Sequence, residues 1–143
     1  MIRYIYNRKG AKMKTDKYVG NYVTGENYDQ FAKDFVSDVR AMLKKDAPDW
    51  KIAKKYKGWF FLSMFLQNEN TGKYVYIDTG DVRHFKDWWH DRLLARTAKS
   101  DEDYTGGVNH EIKFNELPKF LNMNYEHIAQ IRDENYLDKL QQA

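Results

Sequence analysis

The stretch WKIAKKYKGWFFLSMFLQNENTGKYVYID, residues 50–78, decides the fold. Its first part, Trp50 to Tyr56, alternates as an edge strand does, with Lys54 and Lys55 as charges that discourage edge-to-edge pairing. The next, WFFLSMFLQ, is apolar on both faces, the pattern of a central strand. NENTG supplies a hairpin turn and KYVYID pairs back, with Tyr74 and Tyr76 on one face and Val75 and Ile77 on the other. Strands joined by hairpins rather than crossovers predict an antiparallel sheet.

Upstream, Tyr28, Phe31, Ala32, Phe35, Val36, Val39, Met42 and Leu43 recur at three- and four-residue intervals and form one apolar stripe. The spacing predicts a helix that starts after Asn27, as N-cap, and stops at Ala47-Pro48, because proline disfavours helix in the preceding residue. Before it, IRYIY and YVGNYV read as two strands around the basic turn NRKGAKMKTDK, making 1–23 a hairpin. Downstream of Gly80 the period lengthens. Val82, Phe85, Trp88, Trp89 and Leu93 share a helical face that ends near Thr97. AKSDEDYTGGVN is a polar loop, HEIKF one more strand, Asn115 the cap of a short helix through Leu121, and Asn124 the cap of a final helix carrying Tyr125, Ile128, Ala129, Tyr136 and Leu140. The predicted order is ββαβββαβαα: a single α+β domain over residues 1–143, with an antiparallel sheet and helices packed on one side.

At 143 residues and 17.2 kDa the chain is long enough to bury a core of its own. Cys is absent, which excludes a disulfide scaffold, a thiolate zinc site and a Cys nucleophile. The longest apolar run, Gly58 to Leu66, is too short to span a bilayer, and no signal-peptide pattern opens the chain. A cytoplasmic protein with no membrane association is therefore expected.

The net charge of +3 conceals opposed blocks. Residues 1–17 carry +5, 18–39 carry −3, 40–57 carry +5, 58–99 carry +1 and 100–143 carry −5. Such segregation predicts distinct electrostatic faces rather than one cationic surface. The basic stretches include Arg8, Lys9, Lys12 and Lys14, then Lys51, Lys54, Lys55 and Lys57, and tyrosines and Trp50 interleave with them. Cations among aromatic rings are the footprint of RNA or single-strand contact, although a solvated face has the same composition. Asp101, Glu102, Asp103 and Tyr104 form the opposite feature, an acidic loop between a helix and a Gly-Gly turn with nothing apolar to tie its carboxylates to the core. Arg92 and Arg96 fall within the apolar stripe of the second predicted helix, where guanidinium over indole, phosphate gripping or pairing with Asp133 and Glu134 would each suit them.

For catalysis, His84, Asp87 and Asp91 share one helical face at i, i+3 and i+7, with His90 to one side, and His110-Glu111 is a further pair of metal-ligand types. The spacing permits a metal-dependent hydrolase but matches no established ligand signature, and a solvated helix surface has the same composition. GxSxG, P-loop and GxGxxG motifs are absent. Neither a catalytic residue nor a cofactor or metal is assigned.

The hairpin KGWFFLSMFLQNENTGKYVYIDTGDVR, the following RTAKSDEDYTGG and the Lys-, Tyr- and Asn-rich, Cys-free composition resemble small phage and mobile-element proteins of low-GC Gram-positive bacteria. Some type II anti-CRISPR proteins are similar in their hairpin, over about residues 55–107. The resemblance implies a single-domain, non-enzymatic inhibitor that binds a CRISPR-Cas9 effector or its guide-RNA complex in the bacterial host cytoplasm. Asp101, Glu102, Asp103, Tyr104, Arg92 and Arg96 are the partner-binding candidates on this reading. The alternatives are a nucleic-acid-binding accessory protein that uses segments 1–17 and 44–57 to contact RNA or DNA, and the hydrolase around His84.

Overall fold

The alternation through residues 50–78 becomes three strands of a five-stranded antiparallel sheet: β1 (Trp50–Lys57), β2 (Leu62–Asn68) and β3 (Tyr74–Asp78), followed by β4 (Leu93–Ala98) and β5 (His110–Ile112). The computed structural model describes residues 13–83 and 92–129. Each strand pairs with its neighbours in sequence, in the order β1-β2-β3-β4-β5, so the sheet is a meander and the fold is α+β. The amphipathic stripe forms helix α1 (Tyr28–Asp46). It shares one core with Leu62, Met64, Leu66, Val75, Ile77, Leu93, Ala95 and Ile112 from the inner face of the sheet. Phe35 is fully buried there, stacked between Phe31 and Phe114 with ring centroids 6.2 and 4.9 Å away. A short α2 (Leu117–Leu121) closes this side with Leu117, Phe120 and Leu121. Asn124 caps α3 (Tyr125–Ile128) by accepting the His127 amide at 2.9 Å.

The expected strand at 18–23 does not form. Lys14–Tyr18 is a 3-10 turn, held by two carboxylates one helical turn apart on α1. Asp38 accepts the amides of Lys14 and Thr15 at 2.8 and 2.9 Å and the Thr15 hydroxyl at 2.7 Å. Asp34 accepts the Tyr18 hydroxyl at 3.2 Å and the Gln30 amide at 2.9 Å, and pairs with Lys17 at 3.1 Å. Both carboxylates are almost fully buried, at 5% exposure for Asp34 and 4% for Asp38, so these bonds replace the water they have lost. Within the expected strand the Val19 and Asn21 amides donate to the Asp16 and Tyr18 carbonyls, each at 3.1 Å, so they take turn partners instead of a neighbouring strand. The other half of the expected hairpin, residues 2–6, lies outside the described residues.

The expected helix from Asp81 to Thr97 is also corrected at its end. Residues 84–91 lie outside the described residues, and 93–98 are strand β4. Leu93, Ala95 and Thr97 alternate with Leu94, Arg96 and Ala98, and that two-residue period docks the segment against β3 over Tyr74–Asp78. Two boundaries also move. β2 begins at Leu62 because residues 58–61 make the turn, and Asn27 turns its side chain back to the Thr24 amide at 2.7 Å instead of capping α1. The expected short helix is a 3-10 turn at Phe114–Glu116 running into α2, and the extension of α3 to Leu140 lies outside the described residues. Among the described residues no helix is long and apolar enough to cross a membrane.

Burial alone would raise the Asp34 carboxyl, but hydrogen bonds from Lys17, Gln30 and Tyr18 outweigh it and hold the group below its ordinary value. The Tyr18 phenol is pushed up to about 12, by burial and then by the Asp34 charge. Because the folded carboxyl is the stronger acid, Asp34 stabilises the fold fully above the unfolded carboxylate value of about 3.9, and this contribution fades as pH falls through the folded value. Thermal melts from pH 7 to pH 2 should show stability falling below about pH 4, with a shallower decline in Asp34→Asn. An unchanged acid slope in that variant would remove Asp34 as the cause.

Candidate functional site

The hairpin between β1 and β2 turns over four residues, Gly58 to Phe61, closed by the Gly58 amide donating to the Phe61 carbonyl at 2.9 Å. Phe60 sits at φ 61°, the left-handed region that a bulky side chain rarely occupies. Its ring lies 4.8 Å from that of Tyr28 and 4.6 Å from the Arg83 guanidinium, and its carbonyl accepts the Val82 amide at 3.0 Å. The Tyr28 hydroxyl lies 2.9 Å from both the Gly58 and Phe61 carbonyl oxygens, tying the turn to the first residue of α1. Burial and the Asp29 charge push this phenol up to about 12, so it remains a donor at physiological pH. Phe61 folds its ring onto Gly58, where any Cβ would collide with it. With Phe60 turned inward, Trp59 stands at the tip with 76% of its surface exposed.

A β-bulge at Ala53 reverses which lysines of β1 face α1. Lys55 and Lys57 pair with Met64 and Leu62, so they share the α1 side of the sheet, whereas Lys54, opposite Phe65, points to the other face. α1 therefore meets no apolar partner along the last half of β1, and a groove of about 580 Å³ opens there. Ala32, Val36, Leu62 and Met64 contribute its apolar lining. Lys33 and Arg40 from α1 face Lys55 and Lys57 across it, with Asp29 as the one acid. Asp29 is bonded to Lys57, which holds its carboxyl below the ordinary value. A second hollow of about 400 Å³ adjoins through Arg40 and adds Lys44 and Lys51. Lys51 lies 3.9 Å from Glu69, whereas Arg40, Lys44 and Lys55 form no ion pair with a described residue. The strip is a continuous cationic edge, and the turn that carries the exposed Trp59 follows its Lys57 end.

The acidic loop has a different place. It follows strand β4, not a helix, and folds over the outer face of the sheet. There Phe65 and Tyr76 are buried with their rings 5.0 Å apart, and Tyr104 packs edge-on to Tyr76 at 4.8 Å. Arg96 places its guanidinium 5.8 Å from the Tyr104 ring and donates to the Gly107 carbonyl at 2.6 Å, so its aromatic partner is a tyrosine instead of the expected indole. Glu102 accepts from Lys54 at 2.8 Å, and the pair moves each charge in the expected sense, Glu102 down and Lys54 up. Asp103 accepts the Thr105 hydroxyl and amide, which lowers its carboxyl. Arg92 pairs with Glu111 at 3.2 Å across β4 and β5. Asp133 and Glu134, the expected partners of the two arginines, lie outside the described residues.

Of the basic candidates, Lys55 and Lys57 line the groove, Lys51 borders the adjoining hollow, and Lys54 is on the opposite face with Glu102. Lys14 opens the 3-10 turn; Arg8, Lys9 and Lys12 lie outside the described residues, as do His84, Asp87, His90 and Asp91. His110 is buried and donates from Nε2 to the Ile128 carbonyl at 2.8 Å. Among the described residues no group of three or more His, Cys, Asp or Glu is placed to hold a metal ion. Lys33, Arg40 and Trp59 are members of the surface that sequence reasoning missed. The first two, with Lys44, recur at i, i+7 and i+11 on one flank of α1, a signal that a search for apolar stripes passes over.

The loop's dependence on close approach is open to test. A Cβ at Gly107 would fall on the Thr97 carbonyl oxygen, so Gly107→Ala should destabilise by about 1–3 kcal/mol in denaturant titrations. Asp103→Ala should lower the melting temperature, while Asp101→Ala and Glu102→Ala leave it within scatter. Equal melting of all four variants and the parent would show that the loop is not anchored in this way. No family profile, curated protein or solved structure matches the chain.

Proposed function

We propose that this is a non-enzymatic binding protein that grips a nucleic-acid backbone through the cationic groove between α1 and β1. The observation that carries the reading is the groove itself. Four cations from two elements converge over an apolar floor, and only one of them, Lys57, has a carboxylate partner there. Arginine and lysine on a partly apolar surface suit phosphates flanked by sugar and base faces better than a compact acidic peptide. The acidic loop is the weaker candidate for contact, because Glu102, Asp103 and Tyr104 already have partners within the protein.

In its finer form the reading joins the resemblance of the hairpin to type II anti-CRISPR proteins. The protein would act in the bacterial cytoplasm as an inhibitor that occupies the guide RNA of a CRISPR-Cas9 effector, whose function depends on RNA held in cationic channels. A basic competitor for that RNA inhibits without chemistry of its own.

Co-purification with Cas9, alone and loaded with guide RNA, across a salt series tests the proposal. Capture should require guide RNA and weaken steeply with salt, and each phosphate contact removed by Lys33→Ala, Arg40→Ala or Lys55→Ala should flatten the log–log slope by about 0.7. Capture of guide-free Cas9 with no salt dependence, unchanged in these variants, would overturn it.

A further inference from the structure

We infer that Trp59 is a stacking platform for an unpaired nucleobase, which places the end of a single-stranded RNA or DNA segment at the tip of the β1–β2 hairpin. The inference rests on the reading of the groove as a nucleic-acid site and assigns the group that would make that site specific for single strands. Three observations lead to it. Trp59 is 76% exposed, the most exposed large apolar side chain among the described residues. Its exposure is built in: Phe60 holds a left-handed backbone conformation that its side chain opposes, and is kept there by Tyr28, Arg83 and the Val82 amide. The inward place in the turn is therefore filled by one ring and the other is left outside. Finally, Lys57, two residues before Trp59, lines the groove, so the turn that carries the indole follows directly on one end of a cationic track.

Charge complementarity selects the occupant. An indole on the turn that follows a groove with unpaired cations at Arg40 and Lys55 suits a ligand that offers a π-face and an anion together, and an unpaired nucleotide offers both. A duplex does not, since its base faces are buried in the stack and its sequence-independent contacts are made to phosphate. The apolar floor from Ala32, Val36, Leu62 and Met64 is also suited to the bases and riboses of a splayed strand.

Fluorescence anisotropy with a labelled single-stranded oligouridine, and with an RNA duplex of the same length, tests the inference on the full chain. Trp59→Ala should weaken single-strand binding about 10- to 100-fold while leaving the salt slope and the duplex affinity unchanged, and Trp59→Phe should restore most of the loss. The melting temperature should hold, because the indole is outside the core, and this separates lost stacking from lost fold. The double variant Lys33→Ala/Lys55→Ala serves as the control for the groove and should flatten the slope. If the double variant behaves so but Trp59→Ala binds like the parent, the stacking inference is overturned and the groove reading stands. If the parent binds no oligonucleotide even at low salt, both fall. Loss of binding to guide-free Cas9 in Trp59→Ala, with single-strand affinity intact, would instead assign the indole to a protein pocket and overturn the inference.

Discussion

β2 has no solvent face, and the architecture is organised around that constraint. Leu62, Met64 and Leu66 point to one side and Phe65 to the other, all buried. A strand of this kind is stable only between two covers. α1 and α2 supply the first with a stripe of phenylalanine and leucine. The second is not a helix layer but a set of rings, with Tyr56 and Tyr76 on Phe65 and Tyr104 of the acidic loop on Tyr76. The acidic loop is thereby drawn into the fold: its tyrosine packs, its glycine lies against β4, and Glu102 meets the lysine that the bulge turns outward.

The same bulge gives the edge strand its character. Two lysines face the side of the sheet where an apolar residue would have sealed α1 to β1. Inward-pointing charge on an edge is a known device against strand-to-strand association, and that role alone would account for Lys55 and Lys57. It does not account for Arg40 and Lys44 on the facing flank of the helix, which gain nothing from protecting a sheet edge. Cations on both walls, rather than on the strand alone, distinguish a groove from a guarded edge.

Where side chains repeat with a clear period, the structure was legible in the residues. α1, the three strands of 50–78, the NENTG turn and the Asn124 cap stand where spacing and turn chemistry place them. The two larger failures share a physical origin, the capture of a segment by distant partners. Residues 14–18 bend into a 3-10 turn because two carboxylates 16 to 24 positions away take their donors. Residues 93–98 carry hydrophobics that fit either period, and the open edge of β3 decides between them. The candidate site was half legible. Its strand lysines stand out as a charge run, whereas Lys33 and Arg40 read as the polar flank of an ordinary helix and Trp59 reads as one more apolar residue of β2. Only the left-handed Phe60 separates the exposed ring from the buried one, and backbone handedness leaves no mark in a run of aromatics.

The meander also has a kinetic meaning. Among the described residues every strand finds its partner in its nearest neighbours along the chain, so the sheet can zip from the β2–β3 hairpin outward with local loop closures at each step. The long-range closures, such as the Asn122 side chain on the Asp46 carbonyl, join elements on either side of the completed sheet. Folding in that order pairs the backbone of β2 early, before the longest-separated contacts are made. A chain this rich in aromatic strand residues thereby spends little time with its central strand unpaired, which is the interval in which such sequences aggregate.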